Sequence, residues 1–255
     1  MKINESKSIG SVIYIVEGDI DEANILSTIY TKLGYSVITY DKNKDIIHLI
    51  NDSNKYSRVF IIPAEFSAIS RFDIEEEYYD HIFTKLRIYN LDYDNSAVYF
   101  IFDRDRISNR PSKIIKNMSI FSNSRDNGDL KNGLFLMSYP CIESSYLNFI
   151  NDKNEFENGK SIKEYVADKK EIKANNLVDA FCAIKDVIEE AIQENFRVNM
   201  LDDFKAYNCK IFEYEEKYYK DNKLYRTLSL IILSFLDLGI IDEWKCQLLA
   251  FFHFI

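Results

Sequence analysis

Apolar residues run unbroken from Val12 to Val16 and again from Val98 to Phe102, and each run ends on acids. Glu17 and Gly18 follow the first, and Asp103 and Asp105 follow the second. Short continuous apolar runs of this kind predict strands buried on both faces, as in a parallel sheet. Between them the spacing turns helical: Leu26, Ile29, Tyr30 and Leu33 fall at i, i+3, i+4 and i+7, ahead of Gly34, which predicts an amphipathic helix with a glycine stop. Residues 35–40 then predict a strand that completes a strand–helix–strand unit. Residues 59–62, stopped by Pro63, predict a short strand, and the acidic stretch 73–89 a helix. We read about 44–93 as an insertion ahead of the next core strand.

After Phe102 the pattern predicts a helix over 112–121, a polar turn-rich segment over 122–132 containing Asn127-Gly128, a strand over 134–137, and a helix from Ile142, just after Pro140. Beyond residue 151 no strand is evident and the apolar spacing is helical. Leu177, Phe181, Ile184 and Ile188 form one stripe; Leu224, Leu228, Ile231, Ile232 and Phe235 form another. The expected architecture is therefore an α/β domain over 1–151, a mainly parallel sheet flanked by helices, followed by a helical region over 152–255. The boundary falls between Asp152 and Lys160.

Composition supports packed elements joined by short connections, since 47% of the 255 residues are hydrophobic and only 7 are Gly and 3 Pro. Cys141, Cys182, Cys209 and Cys246 are far apart, with no CxxC, and His48, His81 and His253 are scattered. Zinc sites, disulfide frameworks and histidine triads are thereby disfavoured, and reduced thiols suggest the cytoplasm. The start of the chain has no signal-peptide centre, and the apolar stretch 228–236 is far below the roughly 20 residues a membrane helix needs, so a soluble protein without membrane contact is expected. A net charge of −9 works against unspecific nucleic-acid binding. Locally the balance reverses: Arg104, Arg106, Arg110, Lys113 and Lys116 follow the strand-end acids closely and form a candidate phosphate-binding patch.

Chemistry, in such a chain, falls to carboxylates. Side chains at the carboxyl ends of adjacent parallel strands converge on a crevice where ligands bind, and Glu17, Asp103 and Asp105 would meet there. Three acids so placed raise one another's pKa unless a cation holds them ionised, and hard oxygen donors select Mg2+ or Mn2+. Asp19 and Glu22 have capping-box spacing and read as helix-start acids. Cys141 reads as a small buried residue, and the C-terminal aromatics, Trp244 among them, as core.

The order Val16-Glu17-Gly18, then Asp21, then Phe102-Asp103-Arg104-Asp105 resembles the Toprim domain of topoisomerases, primases and many nucleases. Residues 138–147, Ser-Tyr-Pro-Cys-Ile-Glu-Ser-Ser-Tyr-Leu, are similar to a Pro-Cys-x-Glu segment of small Toprim nucleases of phage defence, related to the overcoming-lysogenization-defect nucleases. The resemblance spans about residues 10–150. It implies a Toprim-like fold and a magnesium-dependent nuclease cutting DNA or RNA, as a toxic effector of antiphage defence. It also implies Glu17 as metal ligand or general acid/base, Asp103 and Asp105 as metal ligands, and Asp21 and Glu143 at a second metal position, with Arg104 and Arg106 on substrate phosphate. Residues 108–113, Ser-Asn-Arg-Pro-Ser-Lys, stand where topoisomerases and primases often carry a glycine, which points away from those activities. The lysine that larger defence nucleases carry late in the domain has only Lys173 as a candidate. The chain has no P-loop, so a separately encoded ATPase or sensor is the expected partner, with self-association also open. The alternatives are a non-catalytic Toprim-like scaffold that binds a partner through its helical region, and an RNA-processing ribonuclease.

Overall fold

The buried run from Val12 to Val16 belongs to strand β1 (Ser11–Val16), which lies mid-sheet between β4 (Asn54–Pro63) and β5 (Ser96–Asp103), parallel to both. The computed structural model describes residues 8–18, 21–41, 46–64, 84–106, 109–125, 133–150, 152, 154–168, 176–192 and 204–241. β7 (Gly133–Tyr139) continues the parallel centre beside β5. Antiparallel strands complete the sheet: β3 (Ile46–Asn51) and β2 (Tyr35–Asp41) beyond β4, and β10 (Leu228–Ser229) beyond β7. The order is β10–β7–β5–β1–β4–β3–β2, with β6 (Ser122–Asn123) on β7 off that path. β8 (Glu155–Phe156) and β9 (Tyr225–Arg226) pair separately. The protein is thus α/β, with a mixed central sheet flanked by helices.

The expected strand–helix–strand unit forms, but β2 does not adjoin β1. Helix α1 (Asp21–Lys32) carries the chain to the sheet edge, and the β3–β4 hairpin fills the gap. Residues 46–63 are therefore core strands and not an insertion. The reason is visible in β4, whose last five residues are all buried against β1. Of the helix expected over 73–89, residues 84–88 are helical and 73–83 lie outside the described residues, as does the Asn127-Gly128 turn.

Alternation along β5 assigns helices to the two faces of the sheet. Tyr99 stacks on Tyr14 with centroids 5.2 Å apart, and Tyr14 adjoins Tyr30 of α1. Helix α7 (Ile231–Asp237) covers the same side, where Ser234 Oγ lies 2.9 Å from the Tyr14 hydroxyl and Asp237 accepts from Tyr99 at 2.5 Å. These partners satisfy hydroxyls that burial would otherwise leave costly. Phe100 and Phe102 take the opposite face, packing on Phe121 and Phe135 under helix α2 (Pro111–Ile120). Three helices then follow: α3 (Ser144–Phe149), α4 (Gly159–Tyr165) and α5 (Asn176–Ile192). α6 (Phe204–Asn222) packs on α2 and β7, and Asn208 on it donates to the Phe135 carbonyl at 2.8 Å.

The change near Asp152–Lys160 is one of secondary structure and not of core. One cluster of buried residues runs from Ile9 to Ile241, and Leu177, Phe181, Ile184 and Ile188 of α5 belong to it. Leu228, expected on a helix, instead forms β10 against Tyr139, and the helix starts only at Ile231. Exposed amides at the edge of β7 make the sheet position the better partner for that segment. No helix among the described residues is long and apolar enough to cross a membrane.

Gly133 opens β7 at φ +147°, and a Cβ there would lie 2.3 Å from the Phe100 ring. Gly133→Ala is expected to cost about 3 kcal/mol, through overpacking added to backbone strain. Urea unfolding measures it, and a shift in stability below ~0.5 kcal/mol would contradict the packing described for this corner.

Candidate functional site

Neighbouring strands β1 and β5 send the chain in opposite directions, β1 through α1 toward β2 and β5 through α2 toward β7. Such a switch point opens a crevice at the strands' carboxyl ends. Glu17 and Asp103 stand at this point. The Glu17 amide donates to the Ile101 carbonyl at 3.1 Å, continuing the ladder, and its carboxylate Oε2 accepts from the Asp103 amide at 2.8 Å. Acids 86 positions apart in the chain thus share one rim.

The loop after β5 is braced from within. Arg104 is 2% exposed; its Nε donates to Glu216 Oε1 of α6 at 2.7 Å, and its Nη1 to the carbonyls of Asp105 and Asn109 at 3.2 and 3.0 Å. Asn109 returns a bond from Nδ2 to the Asp103 carbonyl at 3.2 Å. The Arg104 guanidinium is therefore committed to holding the loop that carries Asp103 and Asp105, and this geometry leaves it few donors for substrate. Arg106 is more open. It lies 3.1 Å from Glu216 Oε1 and 4.3 Å over the Tyr219 ring, with a third of its side chain exposed. Arg110 and Lys116 are exposed and Lys113 half-buried along α2, outside the lining of the cavity described below.

Two further acids close on the rim. Glu22, in the first turn of α1, is only 7% exposed, and its Oε2 lies 2.5 Å from where a Cβ on Gly18 would sit, so glycine is what lets helix start and strand end approach. Glu143, ahead of α3, is 1% exposed, and its Oε1 is 3.1 Å from Lys163 Nζ on α4. Lys163 also reaches Asp21 Oδ2 at 3.3 Å. Asn158 caps α4 by accepting from the Ser161 amide at 3.1 Å, which sets the helix that carries Lys163.

These placements perturb the acids strongly. Burial, then the charges of Glu22 and Asp105, push Glu17 up to about 8 against the pull of the Asp103 amide. Burial and the charges of Glu22, Glu17 and Glu143 raise Asp103 well above the carboxylate range, and burial with Glu143 and Asp21 raises Glu22. Burial opposes the charge of Lys163, but Glu143 and Asp21 outweigh it and raise its pKa. Asp103 Oδ1 is buried and has no hydrogen-bond partner among the described residues. Acids whose pKa values are raised together, with an orphaned oxygen among them and Lys163 as the cation paired with Glu143 and Asp21, mark a site with more negative charge than its neighbours offset.

The donor set is mainly carboxylate oxygens, which suits a hard divalent cation; the Cys141 thiol also lines the site, and burial, then the charges of Asp103 and Glu143, hold its pKa well above the usual value and keep it from acting as a thiolate ligand. Among the described residues no three His, Cys, Asp or Glu side chains converge closely enough to chelate one ion as they stand. Beside the acids is a cavity of about 470 Å³. Asp103, Asp105, Arg106, Lys160, Lys163, Tyr219 and Tyr225 are among the residues that line it.

Sequence reasoning brings Glu17, Asp103, Asp105, Asp21 and Glu143 to this end of the sheet, and it misses Glu22, Lys163, Tyr219 and Tyr225. Glu22 carried a signal, an acid four residues after Gly18, but its capping-box spacing with Asp19 favoured a helix-start role, and it does stand in the first turn of α1. Lys163 carried none. Lys173 and Asp19 lie outside the described residues. Comparison of the chain with protein-family models, with curated proteins and with solved structures finds no match.

Proposed function

We propose that the protein is a Toprim-like, magnesium- or manganese-dependent nuclease that hydrolyses phosphodiester bonds in DNA or RNA. The observation that carries this reading is the bond from the Asp103 amide to the Glu17 carboxylate, which joins the two strand-end acids at a switch point. The motif order Glu17-Gly18, Asp103-x-Asp105 and Pro140-Cys141-x-Glu143 supports it further. Glu17, Asp103 and Asp105 would hold one cation, and Asp21 and Glu143 would serve a second position. A divalent ion held there would supply the activation of water and the stabilisation of the phosphodiester's leaving oxygen.

The chain's own residues supply the rest. Without metal, Glu17 is pushed up to about 8 by burial and then by the neighbouring charges of Glu22 and Asp105, so it would give up a proton near neutral pH as it takes the cation. Lys163, held between Glu143 and Asp21, adds positive charge to the cavity lining, and Arg106, steadied by Glu216 and Tyr219, can take a phosphate oxygen. Arg104 is a positioning residue for the loop. The biological role, an antiphage effector restrained by a separately encoded ATPase or sensor, rests on the resemblance alone.

Purified protein is expected to cut single- or double-stranded DNA or RNA in Mg2+ or Mn2+, and Glu17→Gln to lose at least about a hundredfold in rate. A gel assay with all four substrates checks this. An unchanged rate in Glu17→Gln would remove the acid from the mechanism; absence of cleavage in both metals would favour the partner-binding scaffold.

A further inference from the structure

Resting on the nuclease reading, we infer that the cavity beside the acids seats one unpaired nucleotide, so that the substrate is single-stranded or locally unpaired at the point of attack. The inference starts from the aromatic part of the lining, Tyr219 and Tyr225 beside Arg106. There the flat Arg106 guanidinium lies 4.3 Å over the Tyr219 ring, and Tyr219 packs on Tyr225 with centroids 4.5 Å apart. Guanidinium planes and tyrosine rings are the surfaces on which unstacked bases settle, and of this group Arg106 and Tyr219 are the accessible ones, Tyr225 being 2% exposed and backing them. A base inside a duplex has both faces covered by its neighbours and offers nothing to such a wall.

Size and charge agree. The volume, about 470 Å³, suits one small molecule or nucleotide and is too small for a length of double helix. Lys160, Lys163 and Arg106 line the same cavity as Asp103 and supply positive charge for the phosphate attached to that base. The chain's charge of −9 matters here. Duplex binding draws most of its affinity from phosphate contacts, which an acidic protein makes poorly, whereas stacking works without net charge.

The test is fluorescence anisotropy of a labelled single strand, as DNA and as RNA, against the matching blunt duplex, in calcium so that binding is read apart from cleavage. Single strands are expected to bind about tenfold or more tighter than duplex. Tyr219→Leu, which keeps apolar bulk but has no ring face, should erase that preference, and Tyr219→Phe should keep it. Circular dichroism verifies that the variants fold. Equal or tighter duplex binding, or a preference that survives Tyr219→Leu, overturns the inference. The two readings fail separately: equal cleavage of single strand and duplex removes the subsite and leaves the nuclease, whereas Tyr219-dependent strand binding without cleavage in any metal removes the nuclease and leaves the subsite.

Discussion

Asp103→Asn is expected to lower metal-dependent cleavage by about 10²–10³-fold or more while leaving the metal-free protein at least as stable as the wild type. The two effects have one cause. Asp103 Oδ1 is buried without a hydrogen-bond partner among the described residues, and burial together with Glu22, Glu17 and Glu143 raises its pKa well above normal. Its charge is therefore a cost to the folded state that Lys163 offsets only in part and a metal cation would relieve, and an amide of the same shape removes both the cost and the cation ligand. Single-turnover cleavage and urea unfolding in EDTA read the two halves. A variant that is inactive because it is markedly less stable would show Asp103 to be structural, and a variant that retains full activity would remove it from the chemistry.

Adding Mg2+ is expected to offset the fall of stability with rising pH. For Glu17 the folded-state pKa is about 8 against an ordinary 4.5. Below about 4.5 both folded and unfolded chains hold the proton, and the contribution to stability is fully present. Between 4.5 and about 8 the unfolded chain loses the proton first, so stability falls as pH rises, by up to ~1.4 kcal/mol per pH unit for this group. The raised pKa values of Asp103 and Glu22 act in the same direction. A cation binds the ionised form and so gains with pH. At a hundred times its Kd it adds ~2.7 kcal/mol, or roughly 5–10 °C in Tm for a chain of this size. Calorimetric scans across that window, with and without Mg2+, should show a falling line in EDTA, a higher and flatter one with metal, and a shallower EDTA slope in Glu17→Gln. A Tm that rises with pH in EDTA would contradict the buried-acid arrangement.

The parallel centre of the sheet was legible because fully buried strands announce themselves as unbroken apolar runs: β1, β5 and β7 all fall on such runs, and α1 on its i, i+3, i+4, i+7 stripe. The sheet's outer half was not. β3 alternates weakly, and β4 begins with polar residues before its buried end, so the hairpin looked peripheral although it fills the space between β1 and β2. β10 has only two residues and exists because the edge of β7 offers it partners. The same distinction holds at the site. Glu17 and Asp103 could be paired from sequence because strand ends in a parallel sheet meet by geometry, whereas Lys163 and the Arg106–Tyr219–Tyr225 wall depend on how α4 and α6 close over the sheet. Arg104 shows the limit of reading charge alone. Its neighbours in sequence suggested a phosphate contact, but its burial and its bond to Glu216 make it a brace.

The central claim is that the strand-end acids jointly grip a divalent cation, and a crystal soaked in MnCl2 near pH 8 tests it most directly. The expected result is an anomalous difference peak within ligand reach of both Glu17 and Asp103, absent from crystals of Asp103→Asn. A peak elsewhere in the protein, or none at this rim under conditions in which Mn2+ supports cleavage, would contradict it.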